Sequence, residues 1–236
     1  MTDTKKKRLL VVAIDGPAGA GKSTVTRRVA EELGYTRVDT GALYRAVAWL
    51  CTDRGVALDN QAEVEKIAEE ISRAGAVELS TKGEAVAVHV LGRDVTDLIR
   101  SREASLGASV VSQFEGVRHA LLLIQRSLGD EGGVVLEGRD IGTVVFPHAE
   151  AKFYLTASAE VRAERRRAEL SKAGQAPPLQ EIVAEVNERD RRDTERPIAP
   201  LMQAEDAVVV DSSELTINEV VDMMVRHVRA LEPQAD

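Results

Sequence analysis

Eight consecutive residues, Gly16-Pro17-Ala18-Gly19-Ala20-Gly21-Lys22-Ser23, fit G-x-x-x-x-G-K-[ST], and Thr24 follows them. Glycines at these places let successive backbone N–H groups curl round a phosphate without side-chain obstruction. A helix starting near Lys22 adds the positive field of its N-terminus. Lys22 is expected to reach the β- and γ-phosphates of a nucleoside triphosphate, and the Ser23 hydroxyl to ligate Mg²⁺. The loop alone does not separate kinases from GTPases, ATPases or modules that use a triphosphate only as a signal. No N-K-x-D guanine-reading segment is present, which weakens a GTPase switch.

Charged residues elsewhere carry further chemistry. Arg45 follows Asp39-Thr40-Gly41, Arg118 lies in a middle helical stretch, and Arg139-Asp140 stand just beyond an apolar run. Ligands of open α/β sheets gather at the carboxyl ends of strands, so Arg139 and Asp140 are placed where a substrate would sit. Arg162, Arg165 and Arg166 share one helix face; Arg189, Arg192, Asp193 and Arg196 share another over two turns. Such helices have two readings. One is a solvated surface laced with ion pairs worth about tenths of a kcal/mol each. The other is a lid that closes arginines over transferring phosphates, with Ala173 to Pro178 as its loop.

The elements that must position these residues are legible from periodicity. Leu9 to Ile14 is a continuous apolar run, as in a strand buried on both faces of a parallel sheet. From Lys22 to Leu33 apolar residues recur at helical spacing, and Gly34 stops the helix. A strand (Tyr35 to Val38) and a helix carrying Tyr44, Arg45, Val47, Ala48 and Leu50 follow. This order indicates a three-layer α/β fold. Residues 61–73 read as a helix, whereas 76–80 and 84–91 alternate as strands, with Lys82-Gly83 as the turn. A hairpin here indicates an inserted subdomain. One helix is expected over 106–128, then strands at 134–136 and 151–155, an Arg-rich helix at 159–171, and a charged helix ending near Arg196-Pro197. A strand at 207–210 and a helix at 217–230 close the chain.

Composition narrows the class. A net charge of −8 and only 3% aromatic residues argue against nucleic acid as partner. Cys51 stands alone and reads as a small buried residue. His89, His119, His148 and His227 lack metal-ligand spacing. The apolar run near the N-terminus is far too short to cross a membrane, and Lys5 to Arg8 reads as a solvated leader. These features lead us to expect a cytoplasmic protein without a membrane partner.

Four segments, IDGPAGAGKST (14–24), DTGALYRA (39–46), EGRDIGTVVFP (137–147) and NERDRRDTERPIAPL (187–201), make the chain resemble the bacterial cytidylate kinases, within the nucleoside monophosphate kinase family. The resemblance runs from about Leu9 to Val228, and the insertion at about 75–98 fits it. It implies a single domain over 1–236: a core at about 9–40 and 107–230 with a parallel central sheet, a monophosphate-binding insertion at about 41–106, and a helical lid at about 160–197. The implied reaction is ATP + CMP (or dCMP) → ADP + CDP (or dCDP), with Mg²⁺ and with a monomer as the working form. By motif, Gly16 to Thr24 hold the ATP phosphates. Thr40 and Arg45 serve the monophosphate side; Ser109, Arg118 and Glu137 read the cytosine ring. Arg139 holds the acceptor phosphate, Asp140, Asp193 and Arg196 the pentose, and Arg189 the acceptor phosphate or transition state. Lys22, Arg139, Arg189 and Asp193 are the implied catalytic set, and Arg162, Arg165 and Arg166 the implied lid arginines. Glu137 stands where Asp is frequent in the family, and Thr40 replaces a frequent Ser but keeps the hydroxyl. A kinase for UMP or another small acceptor, or an ATP-dependent regulatory module, are the alternatives.

Overall fold

A computed structural model describes residues 9–73, 75–82, 85–172, 174 and 177–232. The apolar run before the glycine loop is strand β1 (Val11–Asp15), and α1 (Lys22–Leu33) leaves the loop. After them come β2 (Thr36–Asp39), α2 (Gly41–Asp53) and α3 (Gln61–Ile71). A small antiparallel sheet then interrupts the pattern, with β3 (Val77–Lys82), β4 (Ala85–Val90) and β5 (Arg93–Asp94). Helices α4 (Arg102–Val111) and α5 (Glu115–Ser127) lead back to β6 (Val134–Gly138) and β7 (Ala151–Thr156). The chain closes with α6 (Ala159–Lys172), α7 (Leu179–Glu195), β8 (Val208–Asp211) and α8 (Ile217–Leu231).

The main sheet has the order β2-β6-β1-β7-β8 with parallel neighbours throughout. The period of two explains why β1 is apolar along its whole length. Val12 and Ile14 enter one cluster with Val29, Phe153, Val221 and Met224, while Ala13 enters another with Val38, Leu136 and Ile141. Helices therefore cover both faces, and the expected three-layer α/β fold with a parallel sheet is what forms. Among the described residues, no helix is long and apolar enough to cross a membrane.

Three local features depart from the sequence expectations. The stretch expected as one helix over 106–128 is two helices, because Phe114 adopts an extended backbone (φ −79°, ψ 128°). The start of the second helix is secured from outside: Glu65 of α3 accepts the Gly116 N–H at 3.0 Å. A partner 51 residues away leaves no local signal. The hairpin also gains a third strand, since Leu91 (φ 51°) and Gly92 (φ 78°) form a two-residue turn of left-handed residues that returns the chain onto β4. Residues 141–145 wind as a short π-helical turn. Lys5 to Arg8, Gly83 of the expected hairpin turn, and 173, 175 and 176 of the expected loop lie outside the described residues.

Candidate active site

A cleft of about 690 Å³ opens at the carboxyl ends of β1, β2 and β6, bounded further by α2, α4, α5 and α7. The end at the Gly16–Ser23 loop is backbone. Gly16 has φ 148° and packs so closely on β7 that a Cβ there would lie 1.9 Å from the Leu155 carbonyl oxygen; no other residue fits. The first turn of α1 follows Gly21 without a side-chain cap, so its N–H groups are left for an anion. Buried Lys22 lies across the loop, donating from Nζ to the carbonyls of Gly16 and Pro17 at 2.7 Å each. Burial pushes its pKa well below the usual lysine value, and the positive charge of Arg139 adds to the shift.

Beside the loop, the Ser23 hydroxyl donates to Glu137 Oε2 at 2.7 Å, and Arg37 Nη2 donates to Glu137 Oε1 at 3.0 Å. Parallel pairing sets Glu137 level with Ile14 and Asp39, next to the first turn of α1. Its carboxylate is thus engaged on both oxygens beside the loop. Burial, followed by the nearby Asp39 charge, pushes its pKa up.

The other end is a set of side-chain pairs. Thr40 Oγ1 donates to the Glu137 carbonyl at 2.8 Å, which starts α2 at the edge of β6. Arg45, one turn later, donates to Asp39 Oδ2 at 2.8 Å. Burial alone would raise the Asp39 pKa, yet the Arg45 charge holds it below the usual value. Arg118 of α5 pairs with Asp140 and lies over the Tyr44 ring, 5.4 Å from its centroid. Arg196 approaches the other Asp140 oxygen at 3.6 Å. Arg139 Nε donates to Asp193 Oδ2 at 2.8 Å; burial opposes the Asp193 charge, and Arg139 and Arg189 together hold its pKa down. Arg189 donates to Ser105 Oγ at 3.1 Å, and its pKa is lowered to about 10 by burial and by Arg139. The buried Ser109 hydroxyl and the Nε atoms of Arg45 and Arg189 have no hydrogen-bond partner among the described residues.

The predicted residues divide by placement. Ala18, Gly19, Gly21, Lys22, Ser23, Thr24, Thr40, Arg45, Ser109, Arg118, Glu137, Arg139, Asp140, Arg166, Arg189, Asp193 and Arg196 all line the cleft. Gly16, Pro17 and Ala20 of the loop are not in its lining, and neither are Arg162 and Arg165. Arg162 donates to the Ala18 carbonyl at 3.1 Å and pairs with Asp190 at 2.6 Å; Arg165 reaches the Ala20 carbonyl and Ser212. Both brace the back of the phosphate loop, because α6 packs against Gly19. Sequence reasoning missed Arg37, Asp39 and Tyr44 of the cleft, and Ser105 and Arg102 on α4. Asp39 ends a strand, the same signal that singled out Arg139; Ser105 has no comparable signal.

The family model described as cytidylate kinase matches residues 12–230. A cytidylate kinase of Geobacter sp. (strain M21) is 49% identical over 227 residues, 96% of each chain. One of Geobacter sulfurreducens is 46% identical, covering 96% of this chain and 95% of its own. Among solved structures, shikimate kinase from Acinetobacter baumannii aligns over 97% of both chains at 14% identity with a TM-score of 0.46. By the family match and these full-length relatives, the chain belongs to the cytidylate kinase family.

Proposed function

We propose that the protein transfers the γ-phosphate of ATP to CMP or dCMP, giving ADP and CDP or dCDP. The observation that carries this reading is that one cleft holds the glycine loop with Lys22 at one end and Arg45, Arg139 and Arg189 beyond it. Burial and the charge of Arg139 push Lys22 and Arg189 down from their usual pKa values. Cations gathered in one cleft suit two polyanions brought together.

A nucleoside monophosphate is already an ionised nucleophile near neutral pH, so no general base is required. Lys22 and the backbone N–H groups of the loop 16–24, to which Pro17 contributes none, hold the donor phosphates; Arg45, Arg139 and Arg189 hold the acceptor phosphate in line with them. Charge spreading over the transferring phosphoryl group meets cations already in place, so little reorganisation is needed. Mg²⁺ fits the Ser23 hydroxyl with the Glu137 carboxylate beside it, and when bound it neutralises charge on the donor phosphates. Ser109, with its unpartnered hydroxyl, and Arg118 read the cytosine edge. Asp140, paired with both Arg118 and Arg196, stands between base and pentose, and Asp193 and Arg196 serve the pentose. A base with the wrong donor pattern would leave these groups unpaired.

In this reading residues 160–197 act as a lid on a single domain, 41–106 form the acceptor-binding insertion, and the enzyme works as a cytoplasmic monomer. A coupled assay with CMP, dCMP, UMP, AMP and GMP tests the assignment. Turnover of CMP or dCMP is expected. Turnover of UMP alone, or ATP binding without ADP release stimulated by a monophosphate, overturns it.

A further inference from the structure

Asp15 is a buried carboxylate that the phosphoryl-transfer scheme above does not use. It ends β1, directly before Gly16, and is 5% exposed. Sheet pairing sets it level with Gly138, one residue before Arg139. Its two oxygens accept the backbone N–H groups of Ile141 (2.8 Å) and Gly142 (2.7 Å), the first two of the π-helical turn 141–145. Asp15 therefore caps that turn from 126 residues away.

The residue in the capping position of this turn is Asp140, a residue type that ordinarily caps with its own side chain. Here it makes no such bond. Its carbonyl takes the N–H groups of Val144 and Val145, and its carboxylate is turned outward to Arg118 and Arg196. Space is restricted at the same point: a Cβ on Gly142 would lie 3.4 Å from Asp15 Oδ2 and 3.1 Å from the Lys152 side chain.

We infer that Asp15 is a positioning residue for the acceptor: by capping the 141–145 turn in place of Asp140, it frees the Asp140 carboxylate for Arg118 and Arg196. This rests on the reading that the cleft phosphorylates a nucleoside monophosphate. In Asp15→Asn one acceptor oxygen becomes an NH₂ group facing an N–H donor, so the Asp140 side chain is drawn back to cap its own turn.

Steady-state kinetics on the full chain test this. A cap is worth on the order of a factor of ten, so Asp15→Asn should raise KM for CMP about tenfold while KM for ATP stays within about twofold. The effect should vanish in an Asp140→Ala background, because Asp15 acts through that carboxylate. A lower melting temperature with unchanged KM for CMP would mean a purely structural role and overturn the inference. Equal weakening of ATP and CMP would place its action on the phosphate loop and also overturn it. If Asp15→Asn does not fold, Asp15→Ser, which leaves a single hydroxyl oxygen to accept the two N–H groups, is judged by the same readouts. Absence of monophosphate turnover by the unmodified protein defeats the functional reading instead; turnover with no split in the variant defeats the inference alone.

Discussion

The two ends of the cleft are built by different means. The donor end is a contiguous loop whose working groups are backbone N–H groups and one lysine, shaped by glycines that a close neighbour permits. The acceptor end is drawn from α2, α4, α5, α7 and the segment after β6, and its working groups are side chains that pair with one another: Arg45 with Asp39, Arg118 with Asp140, Arg139 with Asp193. A backbone cradle depends on a few dihedral angles and tolerates little change. A side-chain network depends on the relative placement of many elements, and can be tuned at residues that touch no substrate.

The first way to break this comparison is at the lysine of the loop. Lys22→Ala should lower kcat by roughly 10²–10³-fold, the range for removing one preorganised charge-stabilising donor. Because burial already depresses the Lys22 pKa, thermal unfolding of the variant should occur at an unchanged or higher temperature. Near-normal turnover in a folded variant would remove Lys22 from the mechanism.

Next in size is the bracing behind the loop. Arg162→Ala leaves Asp190 unpaired and the Ala18 and Ala157 carbonyls without a donor, and should cost about 2–3 kcal/mol in denaturant unfolding. Arg166→Ala, whose side chain faces the cleft, should change stability by less than about 0.5 kcal/mol and act on turnover instead. Equal stability losses would show that the two arginines do the same work.

Asp15 allows a pH test of how tightly the ends are joined. Burial raises its pKa from 3.8 to about 6, with Asp140 adding to the rise and the two N–H donors and Lys22 opposing it. The folded state then binds a proton more readily than the unfolded chain, so this stabilising contribution is complete below about pH 4 and is lost as pH rises to about 6. The loss is at most about 3 kcal/mol. Urea unfolding of the unmodified protein and Asp15→Asn across pH 4–7 should show that difference; a constant difference would mean the N–H bonds keep Asp15 ionised throughout.

The smallest effect belongs to the acceptor network. Arg196→Ala should raise KM for CMP roughly ten- to thirtyfold and leave KM for ATP within about twofold, since Arg118 still holds Asp140. Equal weakening of both substrates would erase the distinction between the two ends.

Sequence alone determined the phosphate loop, the strand that enters it, the helix that leaves it and the segments at the strand ends. Each is encoded within about ten residues, where glycine placement and apolar period act directly on the backbone. Tertiary structure decided which guanidinium meets which carboxylate, which arginines of α6 turn to the back of the loop, and where the expected long helix breaks. Those outcomes depend on partners brought together by sheet pairing and helix packing: Glu65 on the Gly116 N–H, Asp15 on the 141–145 turn, Ser23 on Glu137 across 114 residues. No local window contains both members of such a pair, so residue type announced a charge at a strand end, and only the packed sheet determined what that charge holds.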